Sequence, residues 1–253
     1  KLIEVYGHSC DNWGDRPIFA GGYINYGYWE NITLDQTVSL SIESRIKSSK
    51  DLYKQIFQRI DVSMDDVVLE IGCGRGLGII DFLSLHQVKC MIGVDINRCQ
   101  IERASVNIKQ EYPEAQHIEL FCQPAEQISL EDHSINKVYS VEVAQHFLSM
   151  FDFAREMKRL LKPDGKLVFT SYFLVDNKYR SAIIMQEHLE NIISCDEVHE
   201  CFLKAGFESV SCESIGKHVF LGYDTWICQQ ESEQKKVADF SHNYFKAYQK
   251  GFI

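Results

Sequence analysis

Four glycines crowd into Gly72-Cys73-Gly74-Arg75-Gly76-Leu77-Gly78, directly behind the β-rich run Val67-Val68-Leu69-Glu70-Ile71. A strand that enters such a loop and leaves it as a helix, Leu77 to Leu85, reads as the opening unit of an open α/β sheet. Glycine lets the backbone turn sharply there and lets a ligand approach it at the carboxyl edge of the sheet. The alternation continues down the chain. Cys90–Asp95 reads as a second strand, Arg98–Glu111 as a helix, Ile118–Cys122 and Ile135–Val141 as the next two strands. A helix from Phe151 to Leu161 is stopped by the turn signal Pro163-Asp164-Gly165, and Lys166–Tyr172 follows as a fifth strand. This spacing predicts a mainly parallel sheet with helices on both faces. A helix near Asp196–Ala205 and a sixth strand near Glu208–Cys212 complete the regular part.

The segments around that sheet are less regular. Between Trp13 and Trp29 lie Phe19, Tyr23, Tyr26 and Tyr28 with Gly14, Gly21, Gly22 and Gly27, a mixture with neither helical nor strand periodicity. It reads as an arm that lays aromatic rings over the sheet edge. Apolar residues at helical spacing from Thr37 to Ile60 suggest two helices after it. The organisation expected is an arm with helices over 1–60, an α/β core over 61–213 interrupted near 174–195, and a helical cap over 214–253. A final antiparallel strand would begin at Gly251-Phe252-Ile253.

Composition closes off several function classes. The 253 residues are 45% hydrophobic, enough for one large core. Lys+Arg number 26 against 36 Asp+Glu, a net charge of −10, whereas a nucleic-acid or anionic-membrane binder wants a basic footprint. No apolar run is long enough to span a bilayer. The start, Lys1-Leu2-Ile3-Glu4-Val5, has neither a Met nor the apolar stretch of a signal peptide. Nine cysteines, odd in number and without a Cys-x-x-Cys, read as thiols of a reduced, cytoplasmic protein. His188, Cys195, His199 and Cys201 lack the close pairing of zinc ligands, so no metal is expected. Lys235-Lys236 reads as a solvated helix face. A small-molecule partner remains, with the oligomeric state open.

The glycine loop is not a dinucleotide fingerprint. G-x-G-x-x-G would need its third glycine at Leu77, or at Ile79 in the other register, and both fail, which disfavours a nicotinamide oxidoreductase. Asp95 ends the second strand 19 residues after Gly76, where a carboxylate can take both hydroxyls of a ribose. Glycine loop and strand-end acid together point to a ligand that contains adenosine. The helix N-terminus behind the loop favours a carboxylate.

With these elements the chain resembles the class I S-adenosylmethionine-dependent methyltransferases of small molecules, which act on quinones, tocopherols, sterols, sugars, polyketides and phosphoethanolamine. The resemblance runs from about Asn25 to Phe207. Its residues are Asn25-Tyr26-Gly27-Tyr28-Trp29, Val68 to Gly76, Gly93-Val94-Asp95-Ile96 and Pro124-Ala125-Glu126, then Ser140 to Phe147, Leu160 to Gly165 and Ala205-Gly206-Phe207. It implies a Rossmann-like sheet and S-adenosylmethionine as cofactor. It also implies Gly72 and Gly74 along the methionine part, Glu70 near its ammonium, Asp95 on the ribose, and Ile96 against the adenine. Ala125 would meet the adenine edge and Val141 would lie beneath the methionine chain. Tyr28 would lie over the cofactor carboxylate. The family usually carries an Asp before that Ala; here Pro124 stands there, with Glu126 as the substitute for contacting the adenine amino group.

Methyl transfer to a hydroxyl needs a proton acceptor, and an imidazole titrates near neutrality. His146, just past the fourth strand, is the expected base, with Glu142 on the same turn to orient it or to meet the ammonium. Tyr23, Trp29, Tyr172, Tyr223 and Trp226 are expected around a largely apolar acceptor such as a natural-product hydroxyl. The alternatives are an amine or carbon acceptor, or an S-adenosylmethionine-binding protein without catalysis.

Overall fold

The computed structural model describes residues 17–35, 39–182, 193–230 and 243–253. Five strands make one parallel sheet: β1 (Val67–Ile71), β2 (Cys90–Asp95), β3 (Ile118–Cys122), β4 (Ile135–Val141) and β5 (Leu161–Thr170). Their order is β3-β2-β1-β4-β5, so the chain reverses its direction of travel between β1 and β4. At such a switch point the loops after two neighbouring strands part, and a crevice opens at the carboxyl edge.

Six helices surround the sheet: α1 (Ile42–Ile60), α2 (Leu77–Leu85), α3 (Arg98–Glu111), α4 (Met150–Leu160), α5 (Cys195–Lys204) and α6 (Phe220–Cys228). A further helical stretch covers 243–249. Alternate strand residues point to opposite faces, and each face has its own core. Val68, Met91 and Tyr139 pack with Leu52, Phe57 and Phe82 on one side. Leu69, Ile92 and Val138 pack with Phe153, Met157 and Phe202 on the other.

Side chains cap four of these helices, while α2 and α6 start without such a cap. Ser41, Asn97, Ser149 and Ser194 cap α1, α3, α4 and α5 with their side chains, the last through a reciprocal bond with Glu197. Helix α2, behind the glycine loop, starts at Gly76 with no side-chain cap. Its first N–H groups are left for a partner of another kind.

Several sequence expectations need correction. The two helices expected over 37–60 are one, α1, because no breaker interrupts Ile42–Ile60. The β5 strand begins at Leu161, five residues early, running through Pro163 with an irregular register against Ile135–Lys137. Residues 208–212 form no strand, and nothing among the described residues pairs with them. Nor does the last antiparallel strand form: 251–253 are irregular, though Phe252 O accepts a hydrogen bond from Val175 N–H. Cys99 is disulfide-bonded, against the all-thiol reading, while seven cysteines are free. Of the expected insertion and cap, 183–192 and 231–242 lie outside the described residues, as do Trp13, His188 and Lys235-Lys236.

Candidate active site

The glycine loop is fastened to Asp95. One carboxylate oxygen accepts from Gly74 N–H at 2.9 Å and the other from Asn97 N–H at 2.8 Å. Gly72 N–H and Cys73 N–H both donate to Val94 O. Burial pushes the Asp95 carboxyl upward, and these backbone N–H groups pull against it. Each carboxylate oxygen keeps a lone pair for a further donor such as a ribose hydroxyl. Gly72 takes φ +71° with its missing Cβ directed into Val143, so no side chain fits there. Gly74 takes φ +49° and faces open space.

Glu70 lies one layer below, 1% exposed. One oxygen accepts from Tyr139 O–H at 3.1 Å, whereas the other, turned toward Gly78 and the Tyr53 ring at the start of α2, has no well-aligned donor. Burial pushes its carboxyl up to about 8 against the pull of the Tyr139 and Tyr53 hydroxyls, with Asp81 and Asp95 adding to the rise. A buried acceptor without a donor is costly. An ammonium group arriving there would satisfy it. Ile96, next to Asp95, is 40% exposed, an apolar surface on which a flat ring can lie. Orphaned carboxylate oxygen, uncapped helix, open space at Gly74 and exposed Ile96 together fit an amino-acid group joined to a nucleoside.

Other cofactor expectations fare differently. Val141 and Ala125 are buried beside the strand ends. Glu126 accepts from Leu148 N–H at 2.8 Å, so that oxygen ties down the loop after β4. Tyr28 O–H donates to Glu30 and its ring lies against His218, 4.9 Å between centroids. The arm residues beside the glycine loop are instead Gly22, next to Arg75 and Leu77, and Tyr23, whose O–H donates to Asp81 at 2.6 Å.

On the β4–β5 side, His146 closes a single helical turn, Ala144–His146, and its N–H donates to Val143 O. Gln145 pins that turn at both ends. Its amide nitrogen donates to Glu142 O and its carbonyl accepts from Ser171 O–H beyond β5. His146 is thus held, half-exposed, at the carboxyl edge. Glu142 turns elsewhere. One oxygen of its carboxylate accepts from both Tyr26 N–H and Tyr172 O–H, each at 2.9 Å.

The aromatic residues divide as well. Tyr26 stacks on Tyr223 at 4.0 Å and meets Tyr172 at 5.1 Å, while Tyr172 meets Tyr244 at 5.4 Å. Trp29 and Trp226 are each 2% exposed, with indole N–H groups on Tyr26 O and Ile18 O. Both anchor the arm, and Trp29 also lines a cavity with Glu30, Ile32, Leu34 and His218. The sequence reading missed Arg45, fully buried in α1. It donates to Ile18 O, Asn25 O and the hydroxyls of Ser48 and Ser49, under the ring of Tyr223. Its place one heptad before Leu52, on the buried face of α1, was the available signal. Among the described residues, no three His, Cys, Asp or Glu side chains gather as metal ligands, and no helix is long and apolar enough to cross a membrane.

Residues 69–169 match the family described as the methyltransferase domain. This part of the chain is a methyltransferase domain. The methyl donor of such a domain is S-adenosylmethionine, which agrees with the cradle around Gly74. The O-methyltransferase cnsE of Penicillium expansum is 21% identical over 220 residues, covering 85% of this chain and 75% of that protein. Among solved structures, the geranyl diphosphate C-methyltransferase of Streptomyces coelicolor A3(2) shares the fold. It has a TM-score of 0.80 at 15% identity, over 98% of this chain and 93% of that one. The [4+2]-cyclase SpnF shares it too, with a TM-score of 0.72 at 17% identity, over 98% of this chain and 90% of that one. The methyltransferase domain thus lies within a class I methyltransferase fold.

Proposed function

We propose that the chain methylates a hydroxyl oxygen of a small, natural-product-like acceptor, with His146 as general base and without nucleic acid as partner. The observation that carries this reading is the His146 turn, fixed at the carboxyl edge by Gln145 and Ser171. The O-methyltransferase name of the Penicillium relative supports an oxygen acceptor.

In this reading Glu70 holds the ammonium, Asp95 the ribose, and the first turn of α2 the carboxylate. Gly72 and Gly74 let the methionine part approach the backbone, Val141 supports it from below, and Ile96 and Ala125 bracket the adenine. S-adenosylmethionine supplies an electrophilic methyl group when bound. The chain aligns the acceptor with it, which can carry much of the rate, and the imidazole of His146 takes the hydroxyl proton as the new bond forms. Tyr26, Tyr172 and Tyr223 wall the acceptor side and exclude water. A second reading, binding of S-adenosylmethionine without methyl transfer, draws on the likeness to the fold of a cyclase.

A panel of hydroxylated polyketides, phenols and amines, scored by release of S-adenosylhomocysteine, tests the proposal. Turnover confined to hydroxyl acceptors supports it. Tight S-adenosylmethionine binding by calorimetry with no turnover on any class of acceptor would favour the second reading.

A further inference from the structure

Glu142 is strained in its backbone and half-buried. It takes φ +54°, a left-handed conformation that a residue with a Cβ adopts at a cost. Its N–H donates to Thr170 O and to the Thr170 hydroxyl, so the strain is held by β5. The carboxylate then receives one donor from each of two segments far apart in sequence: Tyr26 N–H from the arm and Tyr172 O–H from the end of β5. Strain of this kind persists only where surrounding structure over-determines it, and it gathers at functional sites.

We propose that Glu142 is a positioning residue whose carboxylate ties the aromatic arm to the end of β5, fixing Tyr26 and Tyr172 as one wall of the acceptor chamber. This rests on the assignment of that chamber to the β4–β5 side. The groups that face the carboxylate are Tyr26 from the arm, Tyr172 after β5, Tyr223 from α6 and the guanidinium of Arg45 from α1. Burial pushes the carboxyl up to about 7, against the pull of Tyr172, Tyr26 and Arg45. The sign follows from linkage. A folded-state value raised above the unfolded one means that the folded chain binds the proton more tightly. Ionised Glu142 therefore costs stability as pH rises from about 4.5 to about 7. A residue kept for packing alone would give no reason for that cost; a group kept to hold two donors in place does.

Two variants separate the possibilities without any acceptor. Glu142→Gly removes the carboxylate and, because glycine accepts positive φ, relieves the backbone. Glu142→Gln keeps an acceptor oxygen and removes the charge. Hydrogen exchange at pH 8 should be about tenfold faster or more over residues 23–29 in Glu142→Gly, the worth of a lost bond to a charged group. It should be unchanged over α2, and Glu142→Gln should restore protection. Melting at pH 8 should rise by about 5 °C in Glu142→Gln relative to the parent, a gain that vanishes at pH 4.5. Exchange over 23–29 within twofold of the parent in Glu142→Gly would overturn the proposal, as would a Glu142→Gln protein that melts lower than the parent at pH 8. S-adenosylmethionine titration of the parent is read separately: its failure would sink the proposed function and leave these two readouts standing.

Discussion

The two halves of the sheet's carboxyl edge each carry a glutamate with a raised carboxyl, and the two are held by different parts of the chain. Glu70, on β1, keeps one oxygen with no well-aligned donor. Glu142, just past β4, has its donors supplied by the protein, from Tyr26 and Tyr172. An incomplete hydrogen-bond set on the β1–β2 side leaves room for a charged ligand group. On the β4–β5 side one carboxylate oxygen takes two protein donors and is spent on building a wall. The first half is a cradle made of backbone and strand ends, and the second is assembled from side chains of the arm, α1, β5 and α6.

The sharpest way to break this contrast is at His146, the one titratable side chain proposed for chemistry on the β4–β5 side. His146→Ala should lower turnover about 10²–10⁴-fold on a hydroxyl acceptor, the usual worth of a general base. S-adenosylmethionine affinity, measured by calorimetry, should stay within about twofold, because the cradle lies on the other half. Loss of cofactor affinity comparable to the loss of turnover would mean that the two halves are one site energetically.

Asp95 probes the cradle with a smaller effect. Asp95→Ala removes the acceptor for Gly74 N–H as well as the expected ribose contact. Cofactor binding should weaken by about 1.5–3 kcal/mol, the range for bonds to a charged group. Asp95→Asn should fall between, since an amide oxygen can still accept from Gly74 while its nitrogen cannot accept from Asn97 N–H. Equal affinity for all three proteins would remove Asp95 from the cofactor site.

The same contrast decides what could be read from the sequence. The proposed cradle is local: Glu70, Gly72, Gly74 and Asp95 sit at strand ends and in the loop between β1 and α2, the positions in the fold that the strand and glycine pattern predicts. The wall is non-local. Glu142 meets Tyr26 across 116 positions, and nothing in either neighbourhood specifies that pairing. Tyr28 was expected over the cofactor carboxylate from the family resemblance, since the arm's lack of periodicity gives no facing of its own. In the structure Tyr23 faces Asp81 and Tyr28 faces Glu30. Arg45 escaped notice because a lone arginine in an amphipathic helix reads as solvated, whereas here arm carbonyls and two serines take its donors. The strand expected at 208–212 had a suitable composition and no neighbour to pair with.

The smallest predicted effect tests the open half of the contrast directly. In the free protein the Glu70 carboxyl is pushed up to about 8, so at pH 7 it carries its proton most of the time. A cofactor ammonium placed against the unpartnered oxygen favours the carboxylate and lowers that value. Binding should therefore release a proton, up to about 0.9 per site at pH 7 and less as pH rises past 8. Titrating S-adenosylmethionine in buffers of different ionisation enthalpy measures the number, and the parent is to be compared with Glu70→Gln, which cannot release it. Glu142, whose donors are already in place and whose carboxylate faces the arm, should add nothing, so Glu142→Gln should leave the count unchanged. A count that is the same in the parent and in Glu70→Gln would remove the ammonium from Glu70. A count that falls only in Glu142→Gln would reverse the assignment of the two glutamates, with the ligand-facing anion on β4 and the structural one on β1.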